Sequence, residues 1–114
     1  MSDDPTITDF LADMLDSTRK ARRFVEGFGY EEFIRDERTA FAVVRALEII
    51  GEAAKQIPEN FRTGHADVPW RTICGMRDKL IHAYGTVNYA VVWNTVAEDL
   101  PKLELQLERI LSKV

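Results

Sequence analysis

Apolar residues recur at three- and four-residue steps over most of the chain. Between Thr6 and Phe28, the residues Ile7, Phe10, Leu11, Met14, Leu15, Ala21, Phe24, Val25 and Phe28 fall on one helical face. That spacing predicts a first amphipathic helix. Pro5 is tolerated in a first turn, and Asp9 and Asp13 suit the positive end of the helix dipole. Gly27 and Gly29 mark its end. A second helical pattern runs from about Glu31 to Ile57, with Phe41, Val44, Leu47 or Glu48, Ile50 or Gly51, and Ala54 near one face. Its centre, Ala40 to Ala54, is apolar on more than one side, as expected of a helix touching two neighbours. Pro58 stops it, and the stretch from Pro58 to Pro69, with Gly64 inside, reads as a loop.

A third helix is expected from Pro69 and Trp70 to Tyr84 or Gly85, where glycine is a natural C-terminal stop. A fourth begins near Asn88, with Thr86 or Asn88 as its cap, and carries Val91, Val92, Val96, Leu100, Leu103 and Leu107. Pro101 should kink or interrupt it after Asp99. Four helices with short connections predict an all-α fold, an antiparallel up-and-down bundle of four or five helices. With 114 residues the chain has room for one domain, spanning 1–114.

Composition narrows the function classes. The apolar fraction of 46% is too high for a disordered chain. No apolar run approaches the roughly 20 residues of a membrane span, and Met1 to Pro5 lacks the order of a signal peptide. The single cysteine, Cys74, permits no internal disulfide, so the cytoplasm is the expected compartment. The net charge of −4 argues against broad phosphate neutralisation, although a local patch gripping one phosphodiester remains compatible with it.

The candidate chemistry lies in Arg77-Asp78-Lys79-Leu80-Ile81-His82-Ala83-Tyr84. On a continuous helix of ~100° per residue, Arg77 and His82 point roughly 140° apart. One copy would then present them awkwardly, and a two-fold homodimer groove could pool both pairs. In the same geometry Asp78 stands one turn before His82 and could orient its imidazole, while Tyr84 returns to the side of Arg77. These residue types suit RNA transesterification, in which the ribose 2′-hydroxyl attacks and neither metal nor cofactor is needed. His82 would move protons, and Arg77 would clamp the phosphate. Arg45, Arg71 and Lys79 are candidate RNA contacts.

An arginine and a histidine five residues apart are weak evidence alone. The flanking words strengthen it. Leu47-Glu48-Ile49-Ile50-Gly51-Glu52-Ala53-Ala54-Lys55, Pro69-Trp70, the run from Ile73 to Tyr84, and Asp99-Leu100-Pro101 together resemble the HepT-like branch of the HEPN superfamily. The resemblance extends from about Arg38 to the C-terminus. It implies a helical homodimer acting as a ribonuclease toxin, with Arg77 and His82 as its catalytic pair. It also implies an antitoxin partner, a nucleotidyltransferase of the MntA type, which silences the nuclease by AMPylating Tyr84. Many relatives read His-Asp-Tyr-Phe-Gly where this chain has His82-Ala83-Tyr84-Gly85-Thr86, a departure that bears on substrate preference and partner fit.

Plainer readings stand beside these. His65 has no second His or Cys at zinc spacing and is expected on the surface. Cys74 suits a small buried apolar site, and Trp70 and Trp93 suit core or dimer anchors. Glu48 and Glu52 are expected to contact Arg45, Lys55 or the motif helix. Two whole-function alternatives remain open: a non-catalytic helical adaptor for a nucleotidyltransferase, and a structural bundle without an active groove.

Overall fold

Thr6 opens the first helix by a reciprocal cap. Its side-chain oxygen accepts from the Asp9 N–H at 3.2 Å, and the Asp9 carboxylate accepts from the Thr6 N–H at 2.8 Å. Two of the donors that a helix start leaves unpaired are thereby satisfied. The computed structural model describes residues 5–81 and 86–114, and helix α1 covers Ile7–Phe24. Gly27 then takes φ 81°, a left-handed conformation that glycine adopts without a Cβ penalty.

The second pattern divides into α2 (Tyr30–Arg35) and α3 (Glu37–Lys55). Asp36 makes the break: its carboxylate accepts from the Thr39 N–H at 2.9 Å and caps α3. The break lets α2 turn Phe33 fully into the core. There its ring meets Trp93 at 5.4 Å and Tyr89 at 6.1 Å between centroids.

Part of the expected loop after Pro58 is helical. Helix α4 (Glu59–Gly64) presents Arg62 to the carbonyls left unpaired at the end of α3. Its Nη2 donates to the Ala54 carbonyl at 2.8 Å and its Nε to the Ile57 carbonyl at 2.9 Å.

The expected third helix is two short ones, α5 (Trp70–Cys74) and α6 (Met76–Leu80), separated by Gly75. Asn88 caps α7 (Tyr89–Asn94) as its sequence position predicts, accepting from the Val91 N–H at 3.3 Å. A π-helical turn, Thr95–Asp99, leads into α8 (Leu100–Leu111), where Pro101 sits in the first turn. A wider turn accommodates a ring that would otherwise strike the carbonyl four residues earlier. The predicted interruption after Asp99 is therefore present.

Helix α3 is the spine, touching α1, α2, α5, α6 and α7. The pairs Arg19–Glu108 at 3.5 Å and Arg22–Glu104 at 2.9 Å show that α1 and α8 run antiparallel. Along the other side of α3, Gly51 lies against Ile73 and Glu48 against Arg77, so α5 and α6 also run against it. A Cβ at position 51 would stand 3.1 Å from the Ile73 carbonyl oxygen, which explains a glycine in mid-helix. Leu11, Met14, Leu47, Ile50, Leu80, Leu100 and Leu107 fill the interior between these helices. The all-α, HEPN-like architecture expected from the sequence is present. Two positions on the expected apolar faces are exposed instead: Phe24 at 37%, in the last turn of α1, and Phe41 at 65%. At ~100° per residue Phe41 belongs to the solvent stripe of α3 with Arg45, Glu48 and Glu52. No helix among the described residues is long and apolar enough to cross a membrane.

Candidate active site

Helix α6 is short but strongly two-sided. Met76 and Leu80, one turn apart, are buried, and this lifts Arg77, Asp78 and Lys79 to the surface. The Arg77 side chain is 71% exposed, yet its Nε stands 3.5 Å from Oε2 of Glu48 on α3, whose side chain is only 21% exposed. At that separation the contact is an ion pair rather than a hydrogen bond. The other Glu48 oxygen, Oε1, faces Nη1 of Arg45 at 4.0 Å, and the same nitrogen donates to Glu52 Oε1 at 3.3 Å. Arg45, Glu48, Glu52 and Arg77 thus form one cluster across the α3–α6 seam. The contacts expected of the two glutamates, to Arg45 and to the motif helix, are both made. Glu48 was not among the sequence-derived site residues; the signal for it is its position one turn after Arg45 on the α3 solvent stripe.

The motif helix ends earlier than its sequence suggests. Ile81 is extended, at φ −119° and ψ 122°, and forms an isolated antiparallel bridge with Val87. The Asn88 N–H donates to the Leu80 carbonyl at 2.7 Å, which occupies a group at the helix end. Two β-branched residues, Ile81 and Val87, therefore win over continuation of the helix. This corrects the helical geometry expected between Arg77 and His82, between Asp78 and His82, and between Arg77 and Tyr84. No continuous helix passes from the first member of each pair to the second. A need for two chains cannot be drawn from that spacing. His82 and Tyr84 themselves lie outside the described residues.

The remaining candidates do not converge. Arg71 lines a groove with Glu59, Arg62 and Trp70 on the α4 side. Lys79 lines another with Asp99, Lys102 and Gln106 against α8. Among the described candidates, Arg45 is the one that joins Arg77, through Glu48. His65 is half-buried, its ring 4.5 Å from that of Phe61. Cys74 is also half-buried. Trp70 is buried, and its indole N–H donates to the His65 carbonyl at 3.0 Å, the core role expected of it. Among the described residues no three His, Cys, Asp or Glu side chains stand close enough to share a metal ion.

Comparison with known proteins covers nearly all of this architecture. Residues 14–110 match the family model described as "Ribonuclease HepT-like", which takes in α1 from Met14, both sides of the Arg77 cluster and most of α8. A protein of Thermococcus cleftensis named "Probable ribonuclease HepT" is 46% identical over 102 residues, covering 90% of this chain and 93% of that one. A protein of Caldanaerobacter subterraneus subsp. tengcongensis, named as a "Putative RNase", is 51% identical over 89 residues, covering 78% and 80%. No solved structure matches. The family model spans the bundle and the Arg77–His82 segment alike, and the chain belongs to the HepT-like ribonuclease family.

Proposed function

We propose that this chain is an endoribonuclease that needs no metal and cuts RNA through the ribose 2′-hydroxyl. The observation that carries the reading is the posture of Arg77: anchored at Nε by Glu48, largely exposed, and four residues before the anchored Ile81. Its two Nη groups are then the edge available for a bidentate grip on a phosphodiester. In the reaction the 2′-oxygen attacks phosphorus as the His82 imidazole accepts its proton. The P–O5′ bond breaks, and the 5′-oxygen leaves with a proton from an imidazolium. That acid is the same histidine in its other protonation state, or His82 of the partner subunit in a homodimer. Arg77 offsets the charge that builds on the non-bridging oxygens. The products are a 2′,3′-cyclic phosphate and a free 5′-hydroxyl. Arg71 and Lys79 line separate grooves and would meet phosphates further along the RNA, while Arg45 is held by Glu52.

In this reading the protein is the toxin of a toxin–antitoxin pair and works in the cytoplasm. Its antitoxin, a nucleotidyltransferase of the MntA type, silences it at Tyr84: the phenol oxygen attacks the α-phosphorus of ATP, and pyrophosphate leaves. An adenylate there would place a negative phosphate two residues from His82 and compete with RNA for Arg77. Substituting His82→Ala should abolish cleavage while leaving helix content and oligomeric state unchanged. Retained cleavage would remove His82 from the mechanism.

The adaptor reading has one observation in its favour. Arg45 and Arg77 are matched by Glu48 and Glu52, so the cluster has little surplus positive charge. A wild-type chain that binds the nucleotidyltransferase tightly and never cuts RNA would establish that reading instead.

A further inference from the structure

The backbones on both sides of the Glu48–Arg77 pair are fixed. On α3, Glu48 is flanked by the fully buried Leu47 and, two positions on, Ile50; on α6, Arg77 lies between the buried Met76 and Leu80. What remains free is the arginine stem, which samples many rotamers when unpaired. The Glu48 carboxylate meets that stem at Nε, its innermost nitrogen. It is also divided: Oε2 serves Arg77 at 3.5 Å, and Oε1 faces Arg45 at 4.0 Å. Because Glu52 holds Arg45 more closely, at 3.3 Å, Arg45 draws less on Glu48 than it would alone.

We infer that Glu48 is a positioning residue for the reaction, resting on the ribonuclease reading. By drawing the Nε side inward through this ion pair, it biases the guanidinium toward the arrangement in which Nη1 and Nη2 face outward to the scissile phosphate. The carboxylate touches no substrate and acts only through Arg77. Glu52 contributes by occupying Arg45.

The test uses the full chain carrying Glu48→Gln, with Glu48→Asp as the conservative comparison. Misplacing a charged clamp by about an ångström can cost up to ~100-fold in rate. Glu48→Gln should therefore lower kcat by roughly tenfold with a smaller change in KM, and Glu48→Asp should recover part of it. In an Arg77→Ala background, Glu48→Gln should have no further effect, since both changes remove one device. An unchanged kcat, or a further loss in that background, overturns the inference. A readout independent of cleavage is the NMR order of the Arg77 Nε–Hε group. It should be restricted in the wild type and mobile in Glu48→Gln; equal order in both overturns the inference. A wild-type chain that fails to cut RNA would instead count against the ribonuclease reading, leaving the NMR comparison to decide whether Glu48 holds Arg77.

Discussion

Glu48 of α3 and Arg77 of α6 are joined at 3.5 Å, Oε2 to Nε, across the seam between the bundle's spine and its motif helix. The pair links residues 29 positions apart in the sequence, and in the proposed reading the outer edge of the guanidinium is left for the phosphate. A lysine cannot reproduce this arrangement, because one compact ammonium cannot meet a carboxylate and present a planar fork together.

Arg77→Lys should therefore behave as a loss rather than a conservative change. Cleavage should fall on the order of 100-fold, the scale of removing one donor from developing charge. Thermal stability should stay close to that of the wild type, since the side chain is largely exposed. Rates and melting curves on the same preparation check both parts, and near wild-type cleavage would contradict the proposed clamp.

Arg62 should matter to stability despite sitting in a stretch that looks like loop. Its bonds to the Ala54 and Ile57 carbonyls close the end of α3. Arg62→Ala should cost about 2 kcal/mol, since hydrogen bonds to charged groups contribute more than neutral ones. Chemical denaturation reads it directly; a change within a few tenths of a kcal/mol would mean that water replaces both bonds.

Phe33 should be the costliest truncation in the aromatic contact between α2 and α7. It is fully buried against Tyr89 and Trp93. Phe33→Ala should destabilise by about 3–5 kcal/mol, through lost burial and the cavity left behind. Denaturant titration would show the midpoint falling with little change in slope.

Gly51→Ala sets two effects against each other. Helix propensity favours alanine by about 1 kcal/mol. Against that, the new methyl would meet the backbone oxygen of Ile73 at 3.1 Å, and Ile73 is itself buried in the core. Backbone yields less readily than a side-chain end, so a net loss of stability is expected. A melting temperature above that of the wild type would show that α5 can retreat from α3 without penalty.

Local chemistry was legible where it acts within one turn. The Asn88 cap, the interruption before Pro101 and the amphipathic period of α1 all follow from near neighbours in sequence. The misses arise where distant contacts decide. Asp36 splits one apolar pattern into two helices because Phe33 must reach Tyr89 and Trp93, more than fifty residues later. Helix α4 forms over a stretch with few apolar residues and is tied to α3 through Arg62. The motif helix stops at Leu80 because Ile81 finds Val87, a pairing that helical periodicity does not register. At the site, Arg77 was legible as a residue type in a resembling motif, and a contact from Glu48 or Glu52 to the motif helix was expected; that Glu48 pairs with Arg77 itself emerges only when α3 and α6 pack.

The most direct test of the central claim is cleavage of a short RNA in excess EDTA, with the product ends identified by mass spectrometry. The substrate should be compared with one carrying a single 2′-deoxy nucleotide at the cut site. The account predicts cutting in EDTA, a 2′,3′-cyclic phosphate on one fragment, a 5′-hydroxyl on the other, and no cutting at the deoxy position. Cleavage that continues at the deoxy position, or that leaves a 5′-phosphate, would contradict attack by the 2′-hydroxyl and with it the roles assigned to Arg77 and His82.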